Sequence, residues 1–142
     1  MARILVVDDE EHILSLLSTV LRFGGHDALI ASNHSDGFDL LGRENVDLIL
    51  LDLRIGEFDG REFFRDARAH GFAGPIVIVS AFGALRAARE LGADGAIEKP
   101  FDPSDLVAEV DRILTERPTR ARDEGAQGGV RLSRLLPQPN WG

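Results

Sequence analysis

Apolar residues run almost unbroken in three short stretches, Ile4-Leu5-Val6-Val7, Val46 to Leu51 (interrupted by Asp47) and Ile76-Val77-Ile78-Val79, the last opened by Gly74-Pro75. Runs without alternation predict strands covered on both faces, as in a parallel sheet. Ala28-Leu29-Ile30-Ala31 is a weaker run of the same kind, and Gly95-Ala96-Ile97 is a short fifth. Between them the apolar period lengthens to that of a helix. Ile13, Leu16, Leu17, Val20 and Leu21 mark one face, with Glu10 and Glu11 in the first turn, Arg22 in the last and Gly24-Gly25 at the end. Further helices are predicted from about Ser35 to Leu41, after Gly60 with Phe63, Phe64 and Ala67 inward, and from Ala84 to Leu91. The fifth opens at Asp102 as N-cap with Pro103 in the first position, continues through Leu106, Val107, Val110, Ile113 and Leu114, and is expected to stop at Pro118.

The order is therefore strand then helix, five times. Short connections of this kind impose parallel pairing and right-handed crossovers, so the expected fold is α/β, an open five-stranded parallel sheet with helices on both faces. Residues 1–117 form the expected domain, with 12 basic and 22 acidic residues and a net charge of -10. Residues 118–142 carry +2, are rich in Gly, Pro and Arg, and are read as a mobile tail. Within it Val130 to Leu136 has the composition to form a turn or two on docking, and the tail as a whole has the charge to fold back on the acidic domain.

Composition narrows the chemistry. The chain has 142 residues, a net charge of -8 and no cysteine, which excludes disulfides, thiolate metal sites and thiol catalysis. No apolar run approaches the roughly 18 residues that span a membrane. The N-terminal apolar stretch is too short for a signal peptide, so the expected location is cytoplasmic. The acidic balance argues against direct nucleic-acid binding. Of 16 basic residues, 15 are arginine, and the one lysine is Lys99, in Glu98-Lys99-Pro100-Phe101.

Ligands of open α/β sheets bind outside the carboxyl ends of the strands. Polar residues stand at those ends: Asp8 and Asp9 after the first strand, Asp52 after the third, Ser80 after the fourth, Lys99 after the fifth. Three carboxylates gathered there repel one another and raise one another's pKa unless a counter-charge joins them. An all-oxygen set without His or Cys favours a hard cation, Mg²⁺ foremost. With a metal and Lys99 in place the crevice attracts an anion, and Ser80 offers it a hydroxyl. Phosphoryl transfer to a carboxylate is the chemistry this set suggests.

The motifs Ile4-Leu5-Val6-Val7-Asp8-Asp9-Glu10, Leu50-Leu51-Asp52-Leu53, Phe58-Asp59-Gly60, Val79-Ser80-Ala81 and Lys99-Pro100-Phe101, in this order and spacing, resemble the receiver domain of two-component response regulators over about residues 3–115. The resemblance implies a flavodoxin-like (βα)5 receiver fold with strand order 2-1-3-4-5. It implies that Asp52 is the phosphoacceptor for a sensor histidine kinase or histidine phosphotransfer protein. It implies Mg²⁺ bound by Asp9, Asp52 and the backbone carbonyl of Arg54 directly and by Asp8 through water. Lys99 would pair with the phosphoryl oxygens and Ser80 would move to hydrogen-bond them. The expected function is a stand-alone receiver, a signalling switch rather than an enzyme, that takes part in its own phosphorylation and dephosphorylation. It would act as a phosphorelay intermediate, a phosphate sink or a switch that binds a downstream protein target, with a second copy in a homodimer among its expected partners. A non-phosphorylated interaction module of the same fold is the alternative. A hydrolase fits poorly, since an aspartyl phosphatase wants an acid where Arg54 stands and a flavin phosphate loop would not carry Asp8 and Asp9.

Three departures from the family pattern bear on output. Gly56 replaces the usual proline and should loosen the loop after Asp52; Arg54 places a cation at the mouth, where it would bind the phosphodonor, obstruct water or be solvated. Ala96 stands where an aromatic switch residue is usual, leaving Phe82 as a conceivable substitute and Phe101 as packing. Ser80 and Lys99 are 19 apart, about three fewer than expected, so the fourth helix should be short. Asp59-Gly60 reads as a turn before a helix. His12, His26, His34 and His70 are scattered, Trp141 lies in the tail, and none of these is given a role.

Overall fold

The computed structural model describes residues 2–55 and 58–127. β1 (Arg3–Val7), β2 (Asp27–Ala31), β3 (Leu48–Leu51), β6 (Ile76–Ser80) and β7 (Gly95–Glu98) form one parallel sheet in the order β2-β1-β3-β6-β7. This is the expected five-stranded topology, with its reversal between β1 and β3. Between β3 and β6 lie two short strands that the sequence pattern does not predict, β4 (Arg54–Ile55) and β5 (Phe58–Asp59), paired antiparallel. Gly56 lies outside the described residues. The helices are α1 (Glu11–Phe23), α2 (His34–Arg43), α3 (Gly60–Ala69), α4 (Ala84–Leu91) and α5 (Pro103–Gln127).

The strand sequences explain which strands are central. β3 and β6 are buried at every residue and β1 at all but its first, whereas the edge strands β2 and β7 include exposed positions. Successive strand residues point to opposite faces, and the core divides accordingly. Leu5 and Val7 pack with Ile49, Leu51, Phe63 and Ala88 under α2, α3 and α4; Ile4 and Val6 pack with Leu48, Leu17, Leu106 and Val110 under α1 and α5. Every buried position of α4 is alanine (Ala84, Ala87, Ala88), so this eight-residue helix sits close to the sheet between two left-handed glycines, Gly83 and Gly92. Its shortness matches the short spacing from Ser80 to Lys99.

Several boundaries differ from the sequence pattern. β3 starts at Leu48, because Asp47 turns its carboxylate onto the Arg3 N–H at 2.8 Å instead of extending the apolar run. α2 starts one residue earlier than expected, where the Asn33 side chain accepts from the Asp36 N–H. The largest correction concerns Pro118, which does not end α5: the helix continues to Gln127, into the segment expected to be tail. Proline removes one helical N–H and crowds the carbonyl four residues back, and the helix nonetheless continues over Arg120, Ala121, Arg122, Glu124 and Ala126, all good helix formers. Residues 128–142, including Val130 to Leu136 and Trp141, lie outside the described residues.

One glycine is fixed by close approach. Asp59 caps α3 by accepting from the Arg61 N–H, and the following Gly60 lies directly on the loop after β3, its N–H donating to Leu53 O at 2.7 Å. A Cβ there would overlap Asp52 O and come within 2.7 Å of Leu53 Cα, both backbone atoms. Gly60→Ala is expected to destabilise the fold by about 2–4 kcal/mol, read as a lower urea midpoint with unchanged slope; an unchanged midpoint would show that the hairpin can move aside.

Candidate functional site

The sheet register builds the site. Val7 pairs with Leu51, and Leu51 with Ile78, so the residues after β1 and β3 emerge side by side. The Asp8 N–H bonds Ala31 O at 3.1 Å and the Asp52 N–H bonds Val7 O at 2.9 Å, extending the ladder by one residue and aiming both carboxylates out of the same sheet end. Ser80 pairs with Glu98, and the Lys99 N–H bonds Ser80 O at 2.9 Å, which brings the lysine over the same edge from the other side of β6.

All five predicted residues meet here. Asp8, Asp52 and Ser80 are the buried polar residues of the described chain, at 2%, 6% and 5% exposure, and Asp9 stands exposed beside them. Oxygens of Asp8, Asp9 and Asp52 lie within 4.8 Å of one another. The Lys99 Nζ donates to Asp8 Oδ2 at 2.8 Å, Glu10 Oε1 at 3.1 Å and Asp52 Oδ2 at 3.4 Å. The Arg54 N–H donates to Asp52 Oδ1 at 3.3 Å, while the Arg54 side chain is exposed at the rim. Ser80 Oγ makes only a long bond, 3.5 Å, to Phe82 O. Arg61 and Phe82 complete the wall, and Phe82 is 85% exposed.

Burial is the main cause that pushes Asp52 up from its ordinary 3.8 to about 6. The Asp8 charge adds to the rise; Lys99 and the Arg54 N–H oppose it without cancelling it. Sequence reasoning puts carboxylate repulsion first, and the structure puts desolvation ahead of it. Burial alone would pull the Lys99 ammonium down, but its hydrogen bond to Asp8 and the charges of Asp8 and Asp52, with Glu10 joining, outweigh that and push it up to about 12. Lysine is thus firmly charged, and the ionised form of Asp52 stands to gain from further positive charge. Three close carboxylates without nitrogen or sulfur donors fit a hard divalent cation such as Mg²⁺.

Glu10 is the site residue that sequence reasoning missed. The sequence pattern makes it a first-turn carboxylate of the first helix, but it is the N-cap of α1, makes no side-chain cap bond, and turns to Lys99 instead. Its place directly after Asp8-Asp9 was the available signal. Ala96 is half-buried on β7 opposite Ile78, and Phe101 packs under α5 as expected. Two of the histidines are engaged elsewhere: His26 meets Asp111 at 2.7 Å and His34 meets Asp66 at 3.2 Å. Among the described residues no helix is long and apolar enough to cross a membrane.

Comparison with known proteins bears on the family and the fold. The model of the response regulator receiver domain matches residues 4–111. The alkaline phosphatase synthesis transcriptional regulatory protein PhoP of Bacillus subtilis (strain 168) is 37% identical over 116 residues, covering 79% of this chain and 48% of that protein. The response regulator MprA of Mycobacterium bovis is 30% identical over 140 residues, covering 96% of this chain and 60% of that protein. The chain spans between 25% and 60% of the length of such curated relatives. The CheY-like receiver domain protein of Methanospirillum hungatei JF-1 superposes with a TM-score of 0.78 at 28% identity, over 84% of this chain and 98% of that one. NtrX of Brucella abortus superposes with a TM-score of 0.81 at 26% identity, over 94% of this chain and 32% of that one.

Proposed function

The chain belongs to the response regulator receiver domain family, a family of signalling switches, and from that premise we propose that Asp52 accepts a phosphoryl group from a histidine kinase or histidine phosphotransfer protein in a Mg²⁺-dependent reaction. The observation that carries this reading is the shared contact of Lys99 with Asp8 and Asp52, at 2.8 and 3.4 Å, inside a crevice whose three carboxylates lie within 4.8 Å.

An Asp52 oxygen attacks the donor phosphorus; a P–O bond forms as the donor's P–N bond breaks, and the imidazole leaves with that electron pair and is protonated. Asp52 must be ionised to attack, and the Arg54 N–H holds one of its oxygens so that the other is presented. Lys99 supplies positive charge against the phosphoryl oxygens, and Ser80 has only a long contact to give up in order to donate to them. Asp8, Asp9 and Asp52, with the Arg54 carbonyl, would hold Mg²⁺, which when bound supplies the remaining charge neutralisation. The signal would then pass by protein–protein contact or onward phosphotransfer, from a receiver that we place at residues 1–117.

The test is direct. Mg²⁺ with acetyl phosphate, or with a panel of kinases, is expected to add one phosphoryl group, mapped by mass spectrometry to the peptide containing Asp52. A folded wild-type protein that no donor labels would sink the reading. The short α4 and Ala96 on β7 favour a second one, a receiver-like interaction module whose binding ignores phosphorylation. Pull-downs with labelled and unlabelled protein separate the two: the main reading requires partners that prefer one state.

A further inference from the structure

We propose that Glu10 is a positioning residue that holds the Lys99 ammonium in the unphosphorylated protein and competes with the phosphoryl group for it. This rests on Asp52 being the phosphoacceptor.

The three N–H bonds of the ammonium are fully used, on Asp8, Glu10 and Asp52, and Glu10 at 3.1 Å is nearer than Asp52 at 3.4 Å. A phosphoryl group on Asp52 presents new anionic oxygens to a lysine with no donor to spare. The contact to Asp8 is the one that cannot be given up. Its side chain is 3% exposed, and stripping a buried carboxylate of its cation is costly. The Glu10 side chain is 48% exposed, so water replaces the ammonium there at little cost. Glu10 is therefore the exchangeable partner. Its backbone starts α1, accepting the Ile13 and Leu14 N–H groups at 3.1 Å, so the exchange takes place at the head of a helix. Because the side chain makes no cap bond, Glu10→Gln leaves the start of α1 intact.

Lys99 is the only lysine in the chain, so lysine labelled with ¹³C at the ε-carbon gives a single NMR signal. In the unphosphorylated protein, Glu10→Gln is expected to shift that signal, while Glu11→Gln, which removes the same charge one residue further on, leaves it in place. Beryllofluoride with Mg²⁺ serves as a stable mimic of the phosphoryl group on Asp52. Glu10→Gln is expected to bind it about two- to fivefold more tightly than wild type, the size of an exposed ion pair, with Mg²⁺ affinity alone within about twofold of wild type. An unmoved Lys99 signal in Glu10→Gln, unchanged or weaker beryllofluoride binding, or a larger change in Mg²⁺ affinity would each overturn the proposal. A wild-type Lys99 signal that ignores beryllofluoride and Mg²⁺ would remove the phosphoacceptor reading itself, and this one with it.

Discussion

Asp52→Asn is expected to abolish phosphoryl labelling and, in the metal-free protein at pH 7, to raise stability by about 1–3 kcal/mol. Loss of labelling follows from the loss of the nucleophile, since an amide does not form an acyl phosphate under these conditions. The gain in stability follows from the cost of keeping Asp52 ionised. Its pKa is about 6 when folded against 3.8 ordinarily, so the folded protein binds the proton more tightly than the unfolded chain. Its stabilising effect is fully present below pH 3.8, where both states are protonated. It is lost as pH rises from there through about 6, and above that the folded state carries the full cost of the buried charge. Wild type minus Asp52→Asn in urea unfolding, followed from about pH 4 to 7.5, isolates this contribution. The difference should open as pH rises and level off above about 6.5. Mg²⁺ should stabilise wild type far more than the variant. A variant that still labels would move the acceptor elsewhere; one that is less stable at pH 7 would show that Lys99 fully compensates Asp52.

Lys99→Arg should preserve charge and fold yet slow phosphorylation of Asp52 or weaken its coupling to a partner by about 10- to 100-fold, equivalent to about 1.4–2.7 kcal/mol. A compact ammonium donates in three directions from one atom, and Asp8, Glu10 and Asp52 occupy those directions. A planar guanidinium spreads its donors over a fork and is longer, so it cannot meet all three acceptors from the same point. The remaining cationic positions of the chain are arginine, which makes the substitution a natural one for this composition. Stopped-flow phosphorylation together with partner binding separates rate from coupling, and a far-UV spectrum with an unchanged urea midpoint certifies the fold. Normal rates and normal binding would reduce the lone lysine to a remnant of arginine bias.

Two of the departures from the family pattern fall on β7 and α4. Ala96 offers β7 no ring to rotate, and the buried positions of α4 are alanines alone. Phe82, two residues beyond Ser80, is an exposed aromatic on the crevice wall, and its carbonyl is the acceptor of the Ser80 hydroxyl. The Ser80 hydroxyl thus contacts the segment leading into α4, at 3.5 Å.

The amino-acid sequence by itself determined the alternation of strands and helices, the parallel sheet and the set Asp8, Asp9, Asp52, Ser80 and Lys99. Each of these follows from local patterning: unbroken apolar runs mark strands buried on two faces, and a polar residue closing such a run must leave the sheet at its carboxyl end. Features that depend on distance in space were decided by the tertiary structure alone. The β4–β5 pairing is too short to announce itself by periodicity. Pro118 stands inside α5, at a position where local pattern alone places a helix end. Glu10 joins the site because the fold carries Lys99 across 89 residues of sequence to meet it. The raised pKa of Asp52 belongs to that same level, since burial, its largest cause, exists only once the helices have closed over the sheet.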